Sequence, residues 1–259
     1  MQRYFLNTAY GTTTPQSYEV SGEPFHHMVH VMRMEVGTQV YLVFSDGVSV
    51  EARIGQINSD SVVLELGNRE QVHRELPINV TIASGFPKGD KLEWIVQKGT
   101  ELGANQFLAF PAKTSIVKWD QKKRQKKQER LQKIAQEAAE QSHRQSCPRV
   151  VLLENQSQLL TQMQTADQVL IAYEESAKKG EHAQLVETFK KMRPGQQLLV
   201  IFGPEGGFLP EEIAQFLSAG ALCCGLGPRI LRTETAPLYV LGAASYHYEL
   251  CQAEPTSVD

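Results

Sequence analysis

The sequence predicts an α/β fold, a mainly parallel sheet layered with helices, preceded by a small β-barrel. Three observations predict it. From Ile78 onward, apolar runs alternate with stretches of helical spacing. Those runs are apolar at nearly every position, as strands buried on both faces of a parallel sheet must be. Residues 1–70 differ: short strand-like runs lie close together, separated by tight-turn signals, the pattern of a small barrel or sandwich.

The barrel strands are expected at Gln39–Phe44, Val48–Ile57 and Ser61–Leu66, with turns at Ser45-Asp46-Gly47 and Asn58-Ser59-Asp60. A short helix is expected over Pro24–Met32, with proline in its first turn. Leu76-Pro77 marks a boundary. Beyond it, strands are expected at Ile78–Ala83, Phe107–Phe110, Val150–Leu153, Val169–Tyr173, Leu198–Phe202 and Ala221–Cys224. Leu92, Ile95, Val96, Gly99 and Leu102 make one helical stripe, and Leu131, Ile134, Ala135, Ala138 and Ala139 another. Pro210-Glu211-Glu212 opens a third helix, with acids at the positive end of its dipole, and Pro237 opens the last. Repeated β-then-α order argues for a parallel sheet.

Composition excludes several classes. No apolar run in the 259 residues approaches the roughly 18–20 needed to cross a bilayer, and the N-terminus lacks a basic start followed by an apolar stretch. Cys147, Cys223, Cys224 and Cys251 show no CxxC spacing, so neither a disulfide framework nor a zinc site is expected, and a cytoplasmic location is. His143 has no partner at metal-ligand spacing. The net charge of −3 argues against a polyanion partner, but its distribution does not. Between Lys113 and Lys133 lie nine Lys or Arg and two acids. That run is either a solvated helix face or a patch for nucleic acid.

Ligands of open α/β sheets bind beyond the carboxyl ends of the strands. Three loops are selected, after Tyr173, Phe202 and Cys224. The second reads Gly203-Pro204-Glu205-Gly206-Gly207-Phe208. It has neither the Gly-Lys-Ser/Thr of a Walker loop nor GxGxxG. Its glutamate would repel a phosphate and tolerate or attract a cation. The third, Leu226-Gly227-Pro228-Arg229-Ile230-Leu231-Arg232-Thr233-Glu234-Thr235-Ala236, brings charge and hydroxyls to a helix N-terminus. Glu137, Glu140, Gln141, His143 and Arg144 share a helix, where surface salt bridging is the plainer reading.

GPEGGF, LGPRILRTETA, KGTELG (98–103) and EAAEQSHR (137–144), in that ordered set, resemble the RsmE family, bacterial 16S ribosomal RNA uridine N3-methyltransferases of the SPOUT class. The likeness runs along nearly the whole chain. It implies a PUA-like RNA-binding barrel (1–72), a SPOUT domain with a C-terminal trefoil knot (73–251) and a tail (252–259). It further implies S-adenosyl-L-methionine as cofactor, 16S RNA or the 30S subunit as partner, and a homodimer. The cofactor pocket would be lined by Ala172, Tyr173, Glu174, Phe202, Gly203, Pro204, Glu205, Gly206, Leu222, Leu226, Gly227, Ile230, Leu231 and Thr233. Methylation at N3 needs a base for the N3 proton and a cation for the charge left on uridine. Arg232 is the candidate cation and Glu234, or a water it orients, the candidate base. Alternatively Arg232 grips phosphate and Glu234 caps the last helix. Lys88, Lys113, Lys122, Lys123, Arg124 and Arg144 are the candidate phosphate contacts. A related enzyme acting on ribose 2′-oxygen, or a non-catalytic RNA-binding protein on the same fold, remain the rival readings.

Overall fold

A computed structural model describes residues 1–11, 16–175 and 183–251. The expected tail, 252–259, lies outside the described residues. The chain divides into two compact units. The first holds Met1–Glu75 together with Ala139–Cys147, the second Leu76–Ala138 with the residues from Pro148 on.

The N-terminal unit is a curled five-stranded sheet in the order β1-β3-β4-β5-β2. Its strands are β1 (Gln2–Phe5), β2 (Ser17–Ser21), β3 (Gln39–Val43), β4 (Ser49–Ile57) and β5 (Ser61–Arg69). Register shifts along β4 and β5 at Val50/Ala52 and Ile54/Gln56 supply the bend. Inward-facing Tyr4, Val40, Leu42, Val50, Ile54, Val62 and Leu64 form the core with Phe25 and Met28. The last two come from α1 (Glu23–His26) and the π-helical turn His27–Val31 that continues it, so the expected helix at 24–32 is a helix with a widened second turn.

β1 and β2 carry no strand signal in the sequence. β1 holds Arg3, a cation at 1% exposure. Its guanidinium donates to Ser49 Oγ at 3.0 Å and to both Glu70 oxygens at 2.9 Å, and it lies over the Tyr41 ring. A charge this deep persists because its partners are fixed around it.

The second unit is a six-stranded, wholly parallel sheet ordered β11-β9-β10-β6-β7-β8. Its strands are β6 (Asn79–Gly85), β7 (Gln106–Phe110), β8 (Arg149–Leu152), β9 (Gln168–Ala172), β10 (Gln197–Phe202) and β11 (Leu222–Cys224). The helices are α2 (Lys91–Glu101), α3 (Gln121–Gln141), α4 (Gln156–Met163), α5 (Gln184–Lys191), α6 (Pro210–Ser218) and α7 (Thr235–Ser245), the last running into a π-helical turn, Tyr246–Leu250. α4 and α6 cover one sheet face through Leu159, Met163, Ile213 and Phe216. α2 and α7 pack together, and α7 reaches β10. So the chain places β11 outside β9 and then doubles back toward the middle of the sheet, which is the path a C-terminal knot requires.

Candidate active site

The strand order reverses at β6 and β10, where β7 follows on one side and β9 lies on the other. The loops after β6, β9, β10 and β11 meet beyond that point, where an open α/β sheet takes its ligand. They enclose a cavity of about 570 Å³ lined by Ala172, Tyr173, Glu174, Glu175, Phe202, Gly203, Pro204, Glu205, Gly207, Phe208, Ile230, Leu231, Arg232, Thr233, Ala236 and Lys91. A second lobe of about 390 Å³ shares Ala172, Tyr173, Glu174, Ile230, Leu231 and Ala236 and adds Leu226, Gly227, Pro228 and Arg229. Both lie in the size range of small-ligand sites.

The GPEGG loop is held from several sides. Gly85, the last residue of β6, lets Pro204 close in: a Cβ there would stand 2.6 Å from Pro204 Cδ. Gly207 has a φ of +66°, which turns the loop back on itself. Its carbonyl accepts from Thr114 Oγ1 at 2.5 Å. Glu212, fully buried, accepts from the backbone N–H of Lys113 at 2.9 Å and of Leu209 at 3.0 Å. One carboxylate of α6 thus fixes both the loop that leaves β10 and the loop that leaves β7.

Charge gathers on one side of the cavity. Lys91 Nζ lies 2.9 Å from Glu205 Oε1 and 3.3 Å from Glu234 Oε2. Glu205 Oε1 also accepts from the backbone N–H of Lys88 at 3.0 Å. Burial alone would raise the Glu205 pKa, but the Lys91 hydrogen bond and backbone N–H donors bring it below the ordinary carboxylate value. The Glu205 hydrogen bond, partly offset by desolvation and reinforced by Glu234, raises the Lys91 pKa. The Glu205 charge is therefore already matched within the protein by Lys91 and the Lys88 N–H. Glu234 is the N-cap residue of α7 but makes no side-chain capping bond, so the capping alternative is not what the structure holds. Its Oε2 is buried without a hydrogen bond, and Lys91 faces it across an ion-pair distance.

Of the expected pocket residues, Gly206 and Leu222 stand apart from both lobes. Gly206 packs on Thr114, and Leu222 is exposed on the edge strand β11. Arg232 lines the cavity and Glu234 lies just behind it. Lys91, Glu175, Gly207, Phe208 and Ala236 line it without a place in the expected set. Phe208 was visible as the end of GPEGGF. Lys91 carried no signal, because its role rests on two acids more than a hundred residues away.

The candidate phosphate contacts fall into three groups. Lys88, Lys122 and Lys123 are exposed, and Lys122 and Lys123 make no ion pair among the described residues. Lys113 and Arg124 are spent in pairs with Glu211 and Glu154. Arg144 is corrected outright. At 2% exposure its guanidinium holds Glu75, which also accepts from the backbone N–H of Gln145. Among the described residues no group of three or more His, Cys, Asp and Glu is placed to hold a metal ion, and no helix is long and apolar enough to cross a membrane.

Comparison with known proteins agrees with this geometry. An RNA methyltransferase domain profile matches residues 74–245, and an RNA methyltransferase PUA domain profile matches 20–67. The chain is 48% identical to the ribosomal RNA small subunit methyltransferase E of Bacillus subtilis, over 98% of this chain and all of that one. It superposes with a TM-score of 0.80 on the enzyme of that name from Neisseria gonorrhoeae solved with S-adenosyl methionine, at 25% identity, covering 96% of this chain and 98% of that one. A methyltransferase from Legionella pneumophila, solved with the same cofactor, gives 0.75 at 28% identity, covering 94% and 96%. The chain belongs to the RNA methyltransferase family whose curated members are named ribosomal RNA small subunit methyltransferase E.

Proposed function

We propose that the chain methylates N3 of a uridine in 16S ribosomal RNA of the small subunit, with S-adenosyl-L-methionine as methyl donor. The observation that carries it is the convergence of the four strand-end loops on one cavity bearing Arg232, in a chain whose relatives bind that donor and act on that RNA by name.

The residues present fit the donor. Two joined lobes suit a molecule with an adenosine and an amino-acid arm. Phe202, Phe208, Ile230 and Leu231 offer apolar wall, and Gly203 and Gly207 bare backbone. Glu174 and Glu175 place carboxylates at the rim. Bound there, the donor supplies an electrophilic methyl group. The protein's part is orientation, charge and proton removal. Arg232, on the cavity wall, is the cation that stabilises the negative charge spreading over uridine O2 and O4 as N3 loses its proton. Glu234, without a capping duty, accepts that proton directly or through a water. The acceptor base must leave its pair, since N3 is hidden in Watson–Crick pairing. Exposed Lys88, Lys122 and Lys123 supply phosphate contacts.

We further infer that the protein works in the cytoplasm as a homodimer. Tyr239, Tyr246 and Leu250 are exposed on α7 and the turn that ends it, and such an apolar stripe suits a second copy.

Mass mapping of 16S RNA from cells with and without the gene tests the assignment: 3-methyluridine at one position is lost with the gene. Loss of a ribose methyl instead, or of none, overturns it. Glu234→Gln is expected to lower kcat by on the order of 10²-fold while donor affinity, followed by calorimetry, holds. Full turnover removes Glu234 as base.

A further inference from the structure

Three of the loops around the cavity are joined by one side chain. Lys91 begins α2, directly after the loop from β6. Its ammonium reaches Glu205 of the β10 loop at 2.9 Å and Glu234 of the β11 loop at 3.3 Å. The same β6 loop binds Glu205 a second time through the backbone N–H of Lys88. Glu234 Oε2 is buried and accepts no hydrogen bond. A desolvated carboxylate oxygen in that condition is costly unless a charge faces it, and Lys91 is the charge that does.

We propose that Lys91 is a positioning residue for methyl transfer: by tying Glu205 and Glu234 together, its ammonium sets where Glu234 and Arg232 stand at the cavity. The proposal rests on the methyltransferase reading above. Arg232 moves with Glu234, because the Arg232 carbonyl accepts from the N–H groups of Thr235 and Ala236 at 2.9 and 3.0 Å and makes residues 232–236 a single turn. Two carboxylates around the ammonium keep it protonated, which excludes Lys91 as the base. It remains a cation with three N–H donors, flanked by two acids, on a side chain that lines the cavity.

Magnitude separates this role from a merely stabilising one. The side chains of Lys91, Glu205 and Glu234 are 30%, 28% and 24% exposed. Part-exposed ion pairs contribute little to global stability. Misplacing a reacting group by about 1 Å, in contrast, costs on the order of 10²-fold in rate. The effect of losing Lys91 therefore falls mainly on kcat, with a smaller drop in melting temperature from the Glu234 oxygen left without a facing charge.

The test uses the full chain, with tritiated methyl transfer from S-adenosyl-L-methionine to 16S RNA or 30S subunits as readout, whichever nucleotide accepts it. Lys91→Met is expected to lower kcat by on the order of 10²-fold with the donor KM little changed, and Lys91→Arg to recover most of the rate. Glu205→Gln, which releases one arm, is expected to give a smaller loss. An unchanged kcat in Lys91→Met, a rise in donor KM alone, or an Arg variant as slow as the Met variant overturns the proposal. If Lys91→Met fails to fold, full activity in Glu205→Gln overturns it. Mapping of the methylated nucleotide in the wild type is scored separately, so a different acceptor refutes N3 specificity without touching Lys91.

Discussion

One methyl group separates Gly85 from alanine, and the site has no room for it. The added Cβ would lie 2.6 Å from Pro204 Cδ and 3.0 Å from the Pro204 nitrogen, a backbone atom. Gly85→Ala must therefore push the GPEGG loop away from β6. A loss of about 1–3 kcal/mol is expected, as for overpacking, visible in urea unfolding, together with weaker donor binding by calorimetry. The same scale explains why Arg144 is not a phosphate ligand. A cation at the end of a Lys-rich helix looks solvated in sequence, and nothing local betrays that Glu75 waits for it. That pair has a pH signature. Burial pushes the Glu75 carboxyl up, but the Arg144 hydrogen bond and charge, with Ser146 and Gln145, bring it net below its ordinary 4.5. A depressed carboxylate adds stability that is complete above the ordinary value and is lost as pH falls through the folded one. Unfolding curves of wild type and Glu75→Gln should differ at pH 7 and converge as the pH falls below 4.5 and through the lowered folded value. A constant gap would rule out the titration of Glu75 as the cause.

Among the elements, the buried strands were readable and the polar ones were not. β6, β9 and β10 are buried on both faces and so are mostly apolar rather than alternating, a pattern visible without alignment. β2 buries only Val20, β1 buries a cation beside Tyr4, and the two include Arg3, Glu19 and three serines or glutamines; their pairing partners, β3 and β5, define them. The short α4 and α5 escaped for a similar reason, each burying only two or three side chains. The site loops were readable because glycine at strand ends is rare without cause. Lys91 was not, since ion pairing between distant loops leaves no periodic trace. In α3 the basic residues divide by their partners. Arg124, Lys127 and Arg130 are held by Glu154 and Glu93, while Lys122 and Lys123 face solvent. Replacing both lysines with alanine should weaken 16S RNA binding and flatten its salt dependence, by about one unit of slope for each phosphate left without its cation. Arg124→Ala should leave the slope nearly intact. Filter binding across a potassium chloride series separates the two.

At the scale of the whole molecule, the boundary between units is not a single cut. Residues 139–147 belong with the N-terminal sheet, held there by Glu70 and Glu75 through Gln145 and Arg144. Such a return of later chain to an earlier unit leaves no compositional seam, so a division read along the sequence near Leu76 misses it. The apolar stripe of Tyr239, Tyr246 and Leu250 carries the prediction for assembly. Light scattering should give twice the chain mass, and Tyr246→Glu should reduce it toward one chain. A monomeric wild type would refute the dimer.

The cavity also has a history in time. Its walls come from loops that begin at residue 86 and end at residue 236, and the loop bearing Arg232 emerges from the ribosome last. Domains organise as they are synthesised, from the N-terminus onward. A nascent chain that has already finished β6 to β10 holds most of its sheet, yet has only part of a pocket and neither Arg232 nor Glu234. A product that ends after β10 therefore lacks the wall that residues 230–236 give the cavity.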